Sequence, residues 1–465
     1  MVKLFERYYP VRRILFFFGE TVFILAIITL VFLWKVGGDL SYLDDYHLWL
    51  KILFILVVCQ ISLYYFDLYR FKPGDNLFET SVRICQALGV ASIITGFAYI
   101  AFPQLILLQG TFLISLVFFI IAAVSWRLVY LWAIKNDFLN EKVVLLGSGK
   151  LAAEIIKEIK NNPDCGYKVV AVVANPSANA LVGSPDFRDL PVYSLEEDLL
   201  ECVVRSGAEE IVVALDERRG KMPVEALLRC RMAGIPVVEG ETFYELLTGK
   251  ILVEKINPSW LIFGEGFRQS LPRRVAKRAM SIVCSAIGLV LTLPIIIIVA
   301  LAIKLDSPGP VLFVQERVGK DGRVFKLYKF RSMRQDAEKN GAKWAAQNDP
   351  RVTRVGRIIR KLRIDEIPQM WNVLKGDMAF VGPRPERPVF VERLRRKIPF
   401  YDQRHTVHPG ITGWAQVCYP YGASDEDALE KLKYDLYYIK HMSLALDLYI
   451  IFKTIKIVLF GEGAR

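Results

Sequence analysis

Four stretches in the first 140 residues are apolar on every side: Ile14–Trp34, Leu48–Phe66, Ile84–Phe102 and Thr111–Trp132. The first is 21 residues long, about 31 Å of helix at ~1.5 Å per residue, enough to cross a bilayer. The others are comparable. A buried helix of a soluble bundle would keep one polar face, and these do not. Glu20, charged within the first stretch, is expected to face another helix. No small-residue cleavage site follows the first stretch and three more spans do, so it is not read as a signal peptide.

The flanking charges orient these spans. Lys3, Arg7, Arg12 and Arg13 precede the first, and Arg70, Lys72 and Arg83 fill the second connection. The first connection sets Asp39, Asp44 and Asp45 against Lys35, and Pro103–Gly110 carries no charge. The positive-inside bias therefore places the N-terminus, and the chain just after Trp132, in the cytoplasm.

From Glu141 the period changes. Glu141–Leu146, Lys168–Val173, Glu210–Ala214 and Ile235–Val238 read as strands with helical patterns between them, an α/β Rossmann-like unit. The turn Gly147-Ser148-Gly149-Lys150-Leu151-Ala152 leaves the first strand and opens a helix, the setting for a nucleotide phosphate at Gly147 and Gly149. The acidic residue expected at the end of the second strand is absent: the chain there reads Val172-Val173-Ala174-Asn175-Pro176. A regulatory or structural domain that kept the turn is the better reading.

A fifth apolar stretch, Ala279–Ile303, lies between Arg278 and Lys304 with Pro294 near its middle. Proline removes a helix hydrogen bond and favours a kink. A fifth full crossing would put the C-terminal domain outside the cell. A helix that dips into one leaflet and returns would keep it inside.

Composition sharpens this picture. The chain has 465 residues, 53% hydrophobic and 23% charged, with a formal net charge of +12. That is too apolar for an ordinary soluble enzyme and too charged for a protein wholly in lipid. Residues 271–465 alone carry +15, from 34 basic and 19 acidic groups. Such a field suits phosphate-bearing substrates, an anionic membrane or nucleic acid, and no nucleic-acid recognition module matches it. Seven cysteines without a C-x-x-C pair and four histidines offer no zinc site and no disulfide framework.

Within that basic region Arg351, Arg354, Arg357, Arg360 and Arg363 recur every third residue, which on a helix makes a ridge. It leads into Ile364-Asp365-Glu366-Ile367-Pro368, and Pro368 suits the first turn of a new helix. Asp365 and Glu366 would sit at that helix's positive end beside Arg363, and both influences favour their ionised forms. A carboxylate so held, with a hard cation on the phosphate oxygens, can attack phosphorus.

The run Leu362-Arg363-Ile364-Asp365-Glu366-Ile367-Pro368-Gln369, then Asn372 to Met378, Val381 to Glu386 and Pro409 to Val417, resembles the bacterial sugar transferase family, the monotopic polyprenyl-phosphate phosphoglycosyl transferases. The resemblance spans about residues 272–465, and the whole layout is similar to the large exopolysaccharide-initiating members. The ending, Tyr434 to Lys440 and Leu459 to Arg465, is similar to the subgroup found in exopolysaccharide export loci.

The fold it implies is a membrane α-helical bundle (1–138), a Rossmann-like α/β domain (139–255) and a mainly α catalytic domain (272–465) with a re-entrant membrane helix at 279–303. The activity it implies is transfer of a sugar-1-phosphate from a UDP-sugar to undecaprenyl phosphate, at the inner membrane, with Mg²⁺. Asp365 is then the nucleophile and Glu366 its partner in Mg²⁺ binding or proton handling. Arg384 is a phosphate or uridine contact, with Arg331, Arg363, Gln369, Asn372 and Asp377 as further substrate-binding candidates. Family members often carry an aspartate after the Lys-Arg pair that opens the membrane helix. This chain has Lys277-Arg278-Ala279-Met280-Ser281, which leaves the salt bridge at the membrane interface open. Four helices are too few to enclose anything, so a homodimer is reasonable.

Two other classes compete. An NAD-dependent sugar-nucleotide enzyme would rest on Gly147–Ala152 but lacks a Tyr-x-x-x-Lys pair in 141–270. A non-enzymatic membrane scaffold would leave the motifs from Asp365 to Glu386 idle.

Overall fold

In the computed structural model the described residues are 2–4, 7–69, 77–108, 110–174, 187–216, 222–255, 266–267, 270–335, 337, 349–420, 422 and 424–460. Arg70, Lys72, Asn175, Pro176 and the ending from Gly461 lie outside them. The chain divides into two compact units, one built on Tyr8–Phe243 and the other on Tyr244–Arg465.

The first unit opens with helices α1 (Val11–Lys35), α2 (Tyr46–Tyr65), α3 (Leu77–Ala101) and α4 (Thr111–Lys135). All four are long and apolar enough to cross a membrane. Glu20 does face another helix: its Oε1 lies 2.6 Å from the Arg127 guanidinium on α4, and both side chains are fully enclosed. Taking one member away strands the other's charge. Glu20→Ala should therefore cost about 3–5 kcal/mol, and Glu20→Ala with Arg127→Met markedly less. Thermal unfolding in detergent measures both, and equal losses would mean that the pair is not the source.

The same unit continues into a five-stranded parallel sheet. Its strands are β1 (Glu141–Leu146), β2 (Tyr167–Val173), β3 (Val192–Tyr193), β4 (Glu210–Val213) and β5 (Val237–Glu239), in spatial order β3-β2-β1-β4-β5. Helices α5 (Lys150–Asn161), α6 (Leu199–Ser206) and α7 (Val224–Met232) connect them, the Rossmann-like arrangement expected. The central strands are buried on both faces, which is why they read as unbroken Val and Leu runs. Asp164 ties sheet to membrane helices. It is 1% exposed and accepts from Arg12 (3.1 Å), Arg13 (2.8 Å) and the Tyr130 hydroxyl (2.7 Å).

Helix α8 (Gly240–Thr248) follows β5. Residues 244–255, grouped with the middle domain by the sequence reading, belong to the second unit. There Ile251 and Val253 join its core, and Trp414 Nε1 donates to the Gly249 carbonyl at 2.9 Å.

Helix α9 (Leu271–Asp306) runs unbroken through Pro294. Near its start Lys277 pairs with Asp447 at 2.7 Å and donates to the Val381 carbonyl at 3.0 Å. Asp447 thus supplies a carboxylate to the Lys-Arg pair that opens α9. Near the end of α9, Val299 and Ile303 pack with Phe330 and Ile359, and Asp306 accepts from the Val355 amide at 3.2 Å.

A hairpin follows, β6 (Leu312–Val318) with β7 (Val324–Phe330), in register from Leu312 opposite Phe330 to Val318 opposite Val324. Next come α10 (Arg354–Lys361) and α11 (Gln369–Lys375), which begins directly after Pro368. Strands β8 (Ala379–Val381) and β9 (Gly410–Thr412) pair in parallel, and α12 (Pro388–Lys397), α13 (Trp414–Cys418), α14 (Asp425–Lys440) and α15 (Leu444–Phe460) complete the unit. Its core gathers Val381, Phe390, Leu394, Trp414, Leu436 and Ile450.

The arginine ridge is shorter than its three-residue step predicts. Thr353 caps α10, its hydroxyl accepting from the Gly356 amide at 2.9 Å, so Arg351 lies before the helix and pairs with Asp349. Arg363 lies after it in the left-handed region (φ 54°), which breaks the helical run.

Candidate active site

The reading of Asp365 and Glu366 as a working pair depends on what their neighbours do. They occupy a single 3₁₀ turn, Ile364–Glu366, between α10 and α11. The turn is entered through Arg363, a non-glycine residue at positive φ, a conformation that costs energy and persists only where surroundings enforce it. Glu366 is 8% exposed and its Oε1 accepts from Lys329 Nζ (2.9 Å) and Arg384 (2.7 Å), with Arg363 4.0 Å from Oε2. Asp365 has no hydrogen-bond or ion-pair partner among the described residues. Both carboxylates line a cleft of about 400 Å³, together with Arg331, Arg363 and Arg384.

The electrostatics separate the two acids. Burial alone would raise Glu366, but Arg384, Lys329 and Arg363 hold it well below the ordinary carboxylate range. Asp365 moves the other way: burial, reinforced by the charge of Glu366, raises it, against the pull of Lys329, Arg384 and Arg360. The expectation that both are pushed toward ionisation thus holds for Glu366 and not for Asp365, where burial, with the charge of Glu366, outweighs the pull of the cations. Burial likewise lowers Lys329, with Glu366 opposing.

The remaining candidates divide by their surroundings. Arg331 lines the cleft, yet its guanidinium donates to the Ser307 carbonyl (2.7 Å), the Ser307 hydroxyl (2.9 Å) and the Pro308 carbonyl (2.7 Å). It therefore fastens the turn that follows α9. Asn372 is fully buried and links α11 to β7, accepting from the Tyr328 amide (3.0 Å) and donating to the Lys326 carbonyl (2.7 Å) and to Asp377 (3.1 Å). Gln369 is buried beside it on α11. Gln369, Asn372 and Asp377 do not line the cleft. Gly147 and Gly149 lie in the other unit, between β1 and α5.

Several cleft residues carried no sequence signal strong enough to single them out. Lys329 is the foremost. Its position two residues before Arg331 on an alternating strand is the signal that was available. Arg404 donates to the Arg384 carbonyl (3.0 Å) and the Tyr401 hydroxyl (2.7 Å) and pairs with Asp435 (2.8 Å), so it fixes the backbone that carries Arg384. Gly382 allows that turn: a side chain there would meet the His408 carbonyl at 2.4 Å. Beyond it the cleft wall becomes aromatic and amide-bearing, with Phe390, Tyr401, Gln416 and Tyr419.

Among the described residues no three His, Cys, Asp or Glu side chains gather to hold a metal. A hard divalent cation is commonly bound by one or two carboxylates together with substrate phosphates. Asp365 fits that arrangement, whereas Glu366 Oε1 is already shared between two cations.

A carboxylate that has no hydrogen-bond or ion-pair partner among the described residues, in a cation-walled cleft, and five helices among those residues able to cross a bilayer are the marks of a membrane-associated enzyme. Residues 272–461 match the family model described as bacterial sugar transferase, and 64–237 match one described as a CoA-binding domain. The UDP-glucose:undecaprenyl-phosphate glucose-1-phosphate transferase of Klebsiella pneumoniae is 30% identical over 428 residues, 89% of each chain. Its Escherichia coli (strain K12) counterpart by name is 34% identical over 328 residues, 69% of this chain and 68% of its own. The UDP-N-acetylgalactosamine-undecaprenyl-phosphate N-acetylgalactosaminephosphotransferase of Aeromonas hydrophila is 49% identical over 242 residues, 51% of this chain and 56% of that protein's length. The chain belongs to the bacterial sugar transferase family.

Proposed function

We propose that this protein transfers a sugar-1-phosphate from a UDP-sugar to undecaprenyl phosphate, giving the polyprenyl-diphosphate sugar and UMP, as the first step of exopolysaccharide synthesis. The observation that carries this reading is Asp365: a cleft-lining carboxylate without a hydrogen-bond or ion-pair partner among the described residues, beside Glu366, which is engaged by Lys329 and Arg384. An Asp365 oxygen attacks the sugar-proximal phosphorus, the bond to the bridging oxygen breaks, and that oxygen leaves with UMP. A phosphate oxygen of the lipid then attacks the same phosphorus and frees the Asp365 carboxylate. Arg384, Arg363 and Lys329 hold the diphosphate charge, while Phe390, Tyr401, Gln416 and Tyr419 suit the flat, amide-like uracil ring. Asp365 would hold a Mg²⁺ jointly with the diphosphate oxygens, Glu366 being engaged by Lys329 and Arg384, and the ion would supply neutralisation of phosphate charge there.

The relatives named above act on different sugars, so the donor is to be found by measuring UMP release from UDP-glucose, UDP-galactose and their N-acetylated and deoxy analogues. Purified protein with undecaprenyl phosphate suffices. No UMP from any donor would overturn the reading.

Helix α9 is proposed to enter one leaflet and return, leaving both soluble parts cytoplasmic. Lys277 and Ile303 both pack within one unit, although 26 residues of straight helix between them would span about 39 Å, more than a bilayer core of ~30 Å. Reporter fusions after Phe66 and Trp132 should both give cytoplasmic signals; an external signal at Trp132 would overturn this topology.

Asp365 must be ionised to attack, so activity should fall on acidification at a pH above the usual carboxylate range. Lys329→Met removes a cation that lowers Asp365 and should move this acidic limb to higher pH. A pH profile of kcat/KM reads the shift.

A further inference from the structure

The Rossmann-like domain retains the strand, glycine turn and helix that in nucleotide-binding relatives of the fold receive a phosphate. The residues present do not fit such a ligand. The Asp216 carboxylate, from the segment just after β4, accepts from the Lys150 amide at 2.9 Å and faces the Leu151 amide at 3.5 Å. These are first-turn N–H groups of α5, the donors a phosphate would need.

The two glycines have the same explanation. A side chain at Gly149 would stand 2.1 Å from Asp216 Oδ2. Gly147 has φ +119°, and a side chain there would stand 2.7 Å from the Ala214 carbonyl. Both positions are held to glycine by the chain following β4, not by room for a pyrophosphate. Ala174, where β2 ends, supplies no acid for a ribose.

We propose that Asp216 occupies the anion seat of this domain, so that the domain binds neither a dinucleotide nor CoA and serves as a mount that carries no ligand. A carboxylate at the positive end of α5 supplies the negative charge that a bound phosphate supplies elsewhere. The clamp of Arg12, Arg13 and Tyr130 on Asp164 fixes the same domain to the ends of α1 and α4, which is what a mount requires. The proposal is independent of the transfer reaction, since every group it names lies outside the catalytic unit.

The test uses the full-length protein in nanodiscs. Equilibrium dialysis with NAD⁺, NADPH and CoA should give no saturable binding to the wild type. Asp216→Gly should empty the seat: inorganic phosphate should then raise its Tm by roughly 2 °C or more while leaving the wild type unmoved. Should Asp216→Gly fail to fold, Asp216→Asn keeps the side chain's volume, and hydrogen exchange of the peptide containing Lys150 and Leu151 should be faster than in wild type. Saturable cofactor binding by the wild type that is lost in Gly149→Val would overturn the proposal. So would an Asp216→Gly protein indifferent to phosphate, or unchanged exchange in Asp216→Asn.

Discussion

Asp365→Asn should abolish sugar-phosphate transfer, by roughly 10³-fold or more, while leaving the fold intact. The side chain has no hydrogen bond or ion pair to lose among the described residues, and burial disfavours its charged form, so an isosteric amide should not destabilise the fold and near neutral pH should stabilise it. The amide oxygen is a poor nucleophile, and among the described residues no other unpartnered acid is placed beside Arg384 and Lys329. Two measurements separate chemistry from binding. Incubating wild type with a donor labelled in the sugar-proximal phosphate, without lipid acceptor, should leave label on the protein and release UMP. Asp365→Asn should do neither, yet still bind the UDP-sugar. Full turnover by the variant would remove Asp365 from the nucleophile's role and leave Glu366, with its oxygens tied to cations, as the harder alternative.

What the chain revealed of this site follows from how its parts are linked. The membrane helices are local objects, and apolarity on all sides marks them without knowledge of any partner. The β1-turn-α5 unit is local too, and so are the adjacent Asp365 and Glu366 ahead of Pro368. The charge on those acids is not local. Lys329 reaches Glu366 across 37 positions, and Arg384 does so from a turn set by the β8–β9 pairing. Sequence proximity therefore placed Arg363 beside the pair but could not rank it behind Lys329 and Arg384. At α11 Gln369, Asn372 and Val373 share the buried face, Asn372 bonds to β7, and none of the three lines the cleft, which motif membership alone does not reveal. The glycine turn by itself is ambiguous, because a close approach by the chain after β4 demands the same residue type as a pyrophosphate does.

Glu366→Gln should be nearly as damaging as loss of the nucleophile, for an electrostatic reason with a testable sign. The carboxylate neutralises Lys329, itself buried, and Arg384. An amide leaves those cations uncompensated in a desolvated place, which should cost about 3–5 kcal/mol of stability and at least roughly 10²-fold in turnover. The pH profile then distinguishes organiser from proton carrier. The charge of Glu366 raises Asp365, and Lys329 and Arg384 lower it. Removing Glu366 frees both cations to act on Asp365, so its pKa should fall and the residual activity should persist to lower pH. This is opposite in sign to Lys329→Met. If Glu366 instead passes a proton during transfer, Glu366→Gln should lose activity at every pH with no downward shift of the acidic limb. Opposite shifts in the two variants, read from kcat/KM on protein whose folding has been checked by thermal unfolding, would assign Glu366 to holding the cations around the nucleophile.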